Sequence, residues 1–410
     1  MQISSEQSKT NTRNFLWHAV FLALASNFMD VNTIIPSMLI KAGGTAFHLG
    51  LLTAIMLGGT RIFQLIFASR LSSKVHKKGH LLWAIEIRVI SLIILAVVFY
   101  YSPSISGNII ILLIFVLMTI FALSGSYAGI PYNDIFGKSV LQTSRKRFYS
   151  LKQTINSIGV FLSAIVVREL IKRFGYPENY ALLFLCAGIL LLIASLGFWN
   201  IKEIPSKVEP KKSLLDFLRL IPSEIKKNPN LKNYLFIINS LGLGVSILPF
   251  LILYAKENFG LSFSLIGNLL LYRTIGMLLA SILFYKIAPK TNYKKLMIFS
   301  LILGAALPII ALFLRDNQFL YQLLFILSGV FLALYRISDN GVLLEISTNE
   351  NRVLYTGISG AGSLLTAIFP LLAGFLISKL GYIAVFSSVS ILIILSFFFV
   401  NKLNCQKNDE

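Results

Sequence analysis

Apolar positions in this chain run for about 20 residues at a time, the length a helix needs to cross a ~30 Å hydrocarbon layer at ~1.5 Å per residue. Between the runs lie short stretches rich in Lys, Arg, Asn, Ser and Gly. The pattern predicts twelve spans, near 15–40, 47–69, 81–101, 108–131, 150–171, 179–200, 233–255, 263–286, 294–314, 318–343, 353–378 and 382–401. The first run is too long for a signal-peptide core and lacks a clear cleavage site, so it reads as a retained span. The longest polar interval, 201–232, divides the chain. Residues 1–200 are expected to form an N-terminal six-helix bundle, 201–232 a linker, and 233–410 a C-terminal six-helix bundle with its tail. In the linker, Ser213 and Asp216 have the spacing of a capping box with Asp in place of Glu. Leu214, Phe217, Leu218 and Ile221 follow at i, i+3, i+4 and i+7, which predicts a short amphipathic helix on the membrane surface. The expected fold class is an all-α membrane protein with two pseudo-symmetric six-helix bundles.

The two halves carry the same marks. Arg61 pairs with Arg273, Ala68-Ser69 with Ala280-Ser281, and Lys74 with Lys286, each at the same separation in sequence. Asn27 and Pro36 of the first span correspond to Asn239 and Pro249 of the seventh. Asp134 closes span 4 and Asp339 falls near the end of span 10. A parallel duplication of this kind builds transporters whose site lies between the halves.

Composition sharpens this picture. The chain of 410 residues is 56% hydrophobic and only 13% charged, where a soluble domain has about 25% charge. The 37 Lys and Arg against 17 Asp and Glu would suggest nucleic acid in a soluble protein. Here most of the cations fall in the tails and in the loops that follow even-numbered spans. By the positive-inside rule both termini are cytoplasmic, in a plasma or bacterial inner membrane, with anionic lipids as contacts. No basic surface interleaved with aromatics is seen, so nucleic acid is not an expected partner. Cys186 and Cys405 have no paired spacing, and His76 and His80 have no carboxylate beside them in sequence, so no metal or other cofactor is expected.

Seven ionisable side chains fall inside the spans: Asp30, Arg61, Glu86, Arg88, Arg273, Arg336 and Asp339. An arginine at mid-span costs about 3 kcal/mol on insertion scales, so each needs a partner or a wet cavity. Asp30, Arg61, Arg273 and Arg336 are the candidates for substrate binding or coupling, with Tyr127, Tyr272 and Tyr335 as aromatic lining. The matched arginines would present forks to a carboxylate or phosphate. Lys74, Glu86, Arg88, Asp134 and Asp339 read as gating or structural charges. Glu86 and Arg88 are two apart and point in different directions on a helix, whereas Arg336 and Asp339 share a face.

The loop between spans 2 and 3 reads Ser69-Arg70-Leu71-Ser72-Ser73-Lys74-Val75-His76-Lys77-Lys78. It resembles the G-x-L-A-D-R-x-G-R-R signature of the major facilitator superfamily, with Ser69 for the glycine and Ser73 for the aspartate. The resemblance extends over nearly the whole chain through span number and duplication. It implies a secondary active transporter working by alternating access, with protons as the coupling ion and a monomer as the unit. The charges in the spans point to an anionic or zwitterionic small molecule. The alternative is a non-transporting receptor or assembly factor of the same build. No enzyme signature is found in the spans.

Overall fold

The computed structural model describes residues 4–60, 63, 66–67, 70–71, 74–205, 214–260, 262–287, 293–347, 355, 358–360 and 364–404. Among them ten helical stretches are long and apolar enough to cross a membrane, and a shorter apolar helix spans Ala46–Gly59. The last long stretch breaks at Gly381, whose φ of 78° is a left-handed conformation open to glycine. That break lies where spans 11 and 12 were expected to meet. With it the helices follow the twelve-span plan of an all-α membrane protein.

Helix α1 is Ser5–Ser26, followed by a 3-10 turn at Asn27–Met29 and by α2, Ile34–Lys41. The expected continuous first span is therefore interrupted at Asp30, whose backbone is extended. Two features explain the break. Asn27, Asp30, Asn32 and Thr33 offer the backbone side-chain alternatives to helical bonds, and Pro36 has no N–H to give back to Asn32. Helix α3 is Ala46–Thr53, capped by Thr45 and His48 acting reciprocally, and it loosens into a π-helical turn at Ala54–Gly59.

The remaining helices of the first half are α4, Lys78–Tyr100, α5, Gly107–Ser139, α6, Gln142–Arg173, and α7, Glu178–Trp199. Then come α8, Leu214–Lys227, in the linker, and α9, Pro229–Phe259, which starts with Asn228 as cap and Pro at its first position. Helices α10, Phe263–Ile287, α11, Tyr293–Phe313, α12, Gln318–Ile346, α13, Leu364–Leu395, and α14, Phe397–Asn401, complete the chain. Helix α8 covers Leu214, Phe217, Leu218 and Ile221 of the linker interval; the expected cap, Ser213, lies outside the described residues.

The contacts gather into two units. One comprises residues 1–30, 41–43 and 59–214, the other residues 31–40, 44–58 and 215–410. In the first, α1 packs on α6 and α7, and α4 packs on α5 and α7. In the second, α12 packs on α10 and α11, and α13 packs on α9, α11 and α3. Helix α4 shows how the sequence assigns faces. Trp83, Ile87, Ile90, Ile94 and Val97 are exposed, Trp83 at 73%. Such an outward apolar stripe is stable only against lipid. Leu81, Ile85, Leu92, Leu95 and Phe99, at matching helical spacing on the opposite face, are buried.

Candidate functional site

Arg88 occupies a position in the buried stripe of α4, one turn after Ile85 and one turn before Leu92. It stands ten residues from the start of α4, about 15 Å along the helix, roughly half the depth of a ~30 Å hydrocarbon layer. The neighbouring helix α5 presents Gly125, Ala128 and Gly129 here, small residues at i, i+3 and i+4. Missing side chains leave room, and the result is a cavity of about 180 Å³ inside the first unit. Arg88 fills part of it. A Cβ at Gly125 would lie 3.2 Å from its Nε and 3.3 Å from its Cζ, so only glycine leaves the guanidinium room to lie there unhindered. The guanidinium carbon sits 4.4 Å from the centre of the Phe121 ring, a favourable cation–π distance. Arg88 Nε is buried and makes no hydrogen bond among the described residues.

Two further basic groups line the same cavity, His18 of α1 and Lys152 of α6. His18 is buried and its Nδ1 donates to the Ala194 carbonyl at 3.3 Å. The imidazole leans on Phe198, 4.3 Å between ring centres. Lys152 Nζ donates to the Tyr132 hydroxyl at 3.2 Å and lies 5.1 Å from the centre of that ring. Phe15, Tyr132 and Phe198 pack edge to face around this end, at 5.2 and 5.5 Å from Phe15. Ala19, Leu22, Leu81 and Ile85 complete an apolar wall. No described lining residue is acidic.

Glu86 takes another direction. It accepts a hydrogen bond from the Ser195 hydroxyl of α7 at 2.8 Å, while Arg88 faces α5. The two-residue spacing, about 200° around a helix, separates them. Sequence reading placed both in one charge group; the structure gives each its own neighbours. His18 and Lys152 were not among the expected site residues. A signal existed for His18: Asn11, Asn14 and His18 form a polar stripe at i, i+3 and i+7 that continues from the polar start of α1 into its apolar run, and all three are buried.

The other expected residues of the first unit lie elsewhere. Asp30 is half-buried at the joint after α1. Asp134 holds Lys77 Nζ at 3.1 Å and Lys138 Nζ at 2.6 Å, while Lys74 is exposed. The Tyr127 hydroxyl bonds to His80 Nδ1 at 2.9 Å, in a groove lined also by Phe67 and the exposed Trp83. Arg61, with Ala68 and Ser69 of the repeated stretch and Ser73 of the loop, lies outside the described residues.

In the second unit Arg273 is buried to 3% exposure in the middle of α10. Its backbone faces Gly329 of α12, where a Cβ would collide with the Arg273 carbonyl oxygen; one turn on, a Cβ at Gly276 would collide with the Ile326 carbonyl oxygen. The paired glycines bring the two helices into backbone contact, the small-residue packing that membrane helices use. Tyr272 is half-buried beside Arg273, Tyr335 is buried and Arg336 is exposed. Asp339 Oδ1 accepts the Tyr234 hydroxyl at 2.7 Å, and that hydroxyl lies 3.3 Å from Ser359 Oγ.

Residues 234–403 match the family model described as Major Facilitator Superfamily. No curated protein matches the chain. Among solved structures, a mutant of the nucleoside transporter NupG is similar at a TM-score of 0.69 and 15% identity, over 95% of this chain and 100% of that one. A POT family transporter in complex with a thioalcohol-conjugated peptide is similar at 0.69 and 12% identity, over 96% of this chain and 97% of that one. A bacterial homologue of the human lysosomal transporter Spinster, inward-facing and occupied, is similar at 0.62 and 12% identity, over 95% of this chain and 96% of that one. Likeness at such identities is a likeness of fold.

Proposed function

We propose that this chain, whose residues 234–403 match the Major Facilitator Superfamily model, is a secondary active transporter of that superfamily, carrying a small anionic or zwitterionic solute by alternating access coupled to protons. The observation that carries this reading is a pair of arginines held within membrane-spanning helices, Arg88 in the first unit and Arg273 in the second. A guanidinium inside a membrane-spanning helix carries charge and a planar donor fork that match an anionic group. In this reading Asp30, Arg61, Arg273 and Arg336 contact solute or protons, and Asp134 and Asp339 hold the ends of their helices. Asp30 suits proton coupling because it sits at a helix break, where a carboxylate is not confined by a regular backbone.

The test is counterflow of labelled organic acids, phosphate, amino acids and nucleosides in liposomes containing the purified protein. At least one anionic or zwitterionic solute should exchange. Arg273→Gln should reduce that exchange at least tenfold, with Arg273→Lys retaining more. Exchange confined to neutral solutes would reject the charge preference. Failure of every solute, with a partner protein co-purifying, would favour a non-transporting assembly factor.

A further inference from the structure

We infer that the hollow between α1, α4, α5 and α6 in the first unit is a binding site for a small oxyanion, a carboxylate or a phosphate-type group carried on a compact body. The inference rests on the transport reading only in taking this oxyanion to be part of the transported solute; the binding site itself stands on local geometry.

Two cationic side chains, Arg88 and Lys152, line one cavity together with the imidazole of His18, the three coming from three helices, and no described lining residue is acidic. Glu86, the nearest carboxylate in sequence, is bonded to Ser195 on α7. Like charges gathered in a low-dielectric place raise the free energy of the fold unless an opposite charge enters. Phe121 offsets part of the cost for Arg88 and Tyr132 part of the cost for Lys152. Neither carries a charge. The guanidinium has its Nε–H buried and without a hydrogen-bond partner among the described residues, and a carboxylate or phosphate matches that planar fork. Lys152 adds a point charge, and Tyr132 and His18 add polar groups at the same wall.

Volume limits the ligand. About 180 Å³ is room for roughly six waters at ~30 Å³ each. That admits acetate, lactate, succinate, benzoate or inorganic phosphate, and a nucleotide would not fit within it whole. The apolar wall of Ala19, Leu22, Leu81, Ile85 and Phe198 favours a carboxylate with a short hydrocarbon body over a bare inorganic ion, because the wall has nothing to offer a second charged end.

The experiment uses the full-length protein in detergent, with those five anions as probes and propionamide and ethylammonium as controls. Calorimetric titration and thermal shift are read for wild type, Arg88→Gln, Arg88→Lys, Lys152→Met and Gly129→Leu. Gly129 lines the cavity, and a Cβ there meets open space, so leucine fills the hollow without removing a charge or displacing a helix. At least one carboxylate should bind wild type and raise its Tm, while the controls do nothing. Arg88→Gln and Lys152→Met should weaken its Kd at least tenfold, and Arg88→Lys less. Gly129→Leu should keep the ligand-free Tm and lose the ligand-induced shift. If Arg88→Gln does not fold, Gly129→Leu and Arg88→Lys decide.

An anion bound equally well by wild type and Gly129→Leu sits elsewhere and overturns the inference, as does the absence of binding by all five probes. Binding that needs Arg88 and an open Gly129, in a protein that exchanges none of the probes in liposomes, upholds the site and rejects the transport reading. Exchange with an unchanged KM in Gly129→Leu upholds transport and rejects the site.

Discussion

Glu203 is the side chain that sets where α4 begins. Its two carboxylate oxygens accept the backbone N–H groups of Lys77 at 2.6 Å and Lys78 at 2.9 Å. These are among the amides that a helix start leaves without intrahelical partners, at its positive end. Lys78 Nζ returns the link by donating to the carbonyl oxygens of Trp199 at 2.6 Å and Ile201 at 3.0 Å. Glu203→Ala should cost about 1–2 kcal/mol, the worth of a helix cap, read as a lower midpoint in a thermal melt of the detergent-purified protein. An unchanged midpoint would show that water replaces the carboxylate there. At this scale the sequence revealed Arg88 as an intramembrane charge but not its companions. His18 is a lone histidine in an apolar run, and Lys152 sits at the edge of its span, where it counted among loop cations. Residues 18, 88 and 152 lie on three helices, and no local periodicity joins them.

Between elements, the contact of α10 with α12 is set by absence of side chains. Gly276 and Gly329 each receive a backbone carbonyl from the facing helix where a Cβ would clash. Gly329→Leu should force these helices apart, displace Arg273 and abolish the monodisperse peak of the purified protein in size-exclusion chromatography. Gly79→Leu, with open space at its Cβ, should leave the peak in place; a normal peak for Gly329→Leu would show that α12 shifts at little cost. The spans themselves were legible because lipid imposes length and apolarity on any helix that crosses it. The break at Asp30 was less so, since hydropathy averages over Asn27, Asp30 and Asn32 within a strongly apolar window. The π turn at Ala54–Gly59 has no sequence mark beyond two glycines. The structure also places Gly242 against Thr366. Sequence reading passed over Gly276 and Gly329, because only the facing helix reveals which glycines meet one.

At the scale of the whole molecule, the twofold repeat was visible in the spacing of Arg61 and Arg273 and in the long polar interval after span 6. How contacts sort was not visible, since hydropathy ranks segments and says nothing of their neighbours. Residues 31–40 and 44–58 precede the linker by more than a hundred positions and yet group with residues 215–410. Helix α3 packs on α13, where a Cβ at Gly50 would strike the Pro370 carbonyl oxygen and a Cβ at Gly374 that of Ala46. This bears on what happens when the gene is severed within the codons for Ser206 to Ser213. The downstream product would leave the ribosome with the flank of α13 bare, since the helix that covers it is encoded on the other piece. Each product made alone should be cleared by cellular proteases, and both made together should be recovered as one complex through an affinity tag on either. A downstream piece that accumulates by itself as a uniform particle would mean that the flank of α13 is content with lipid.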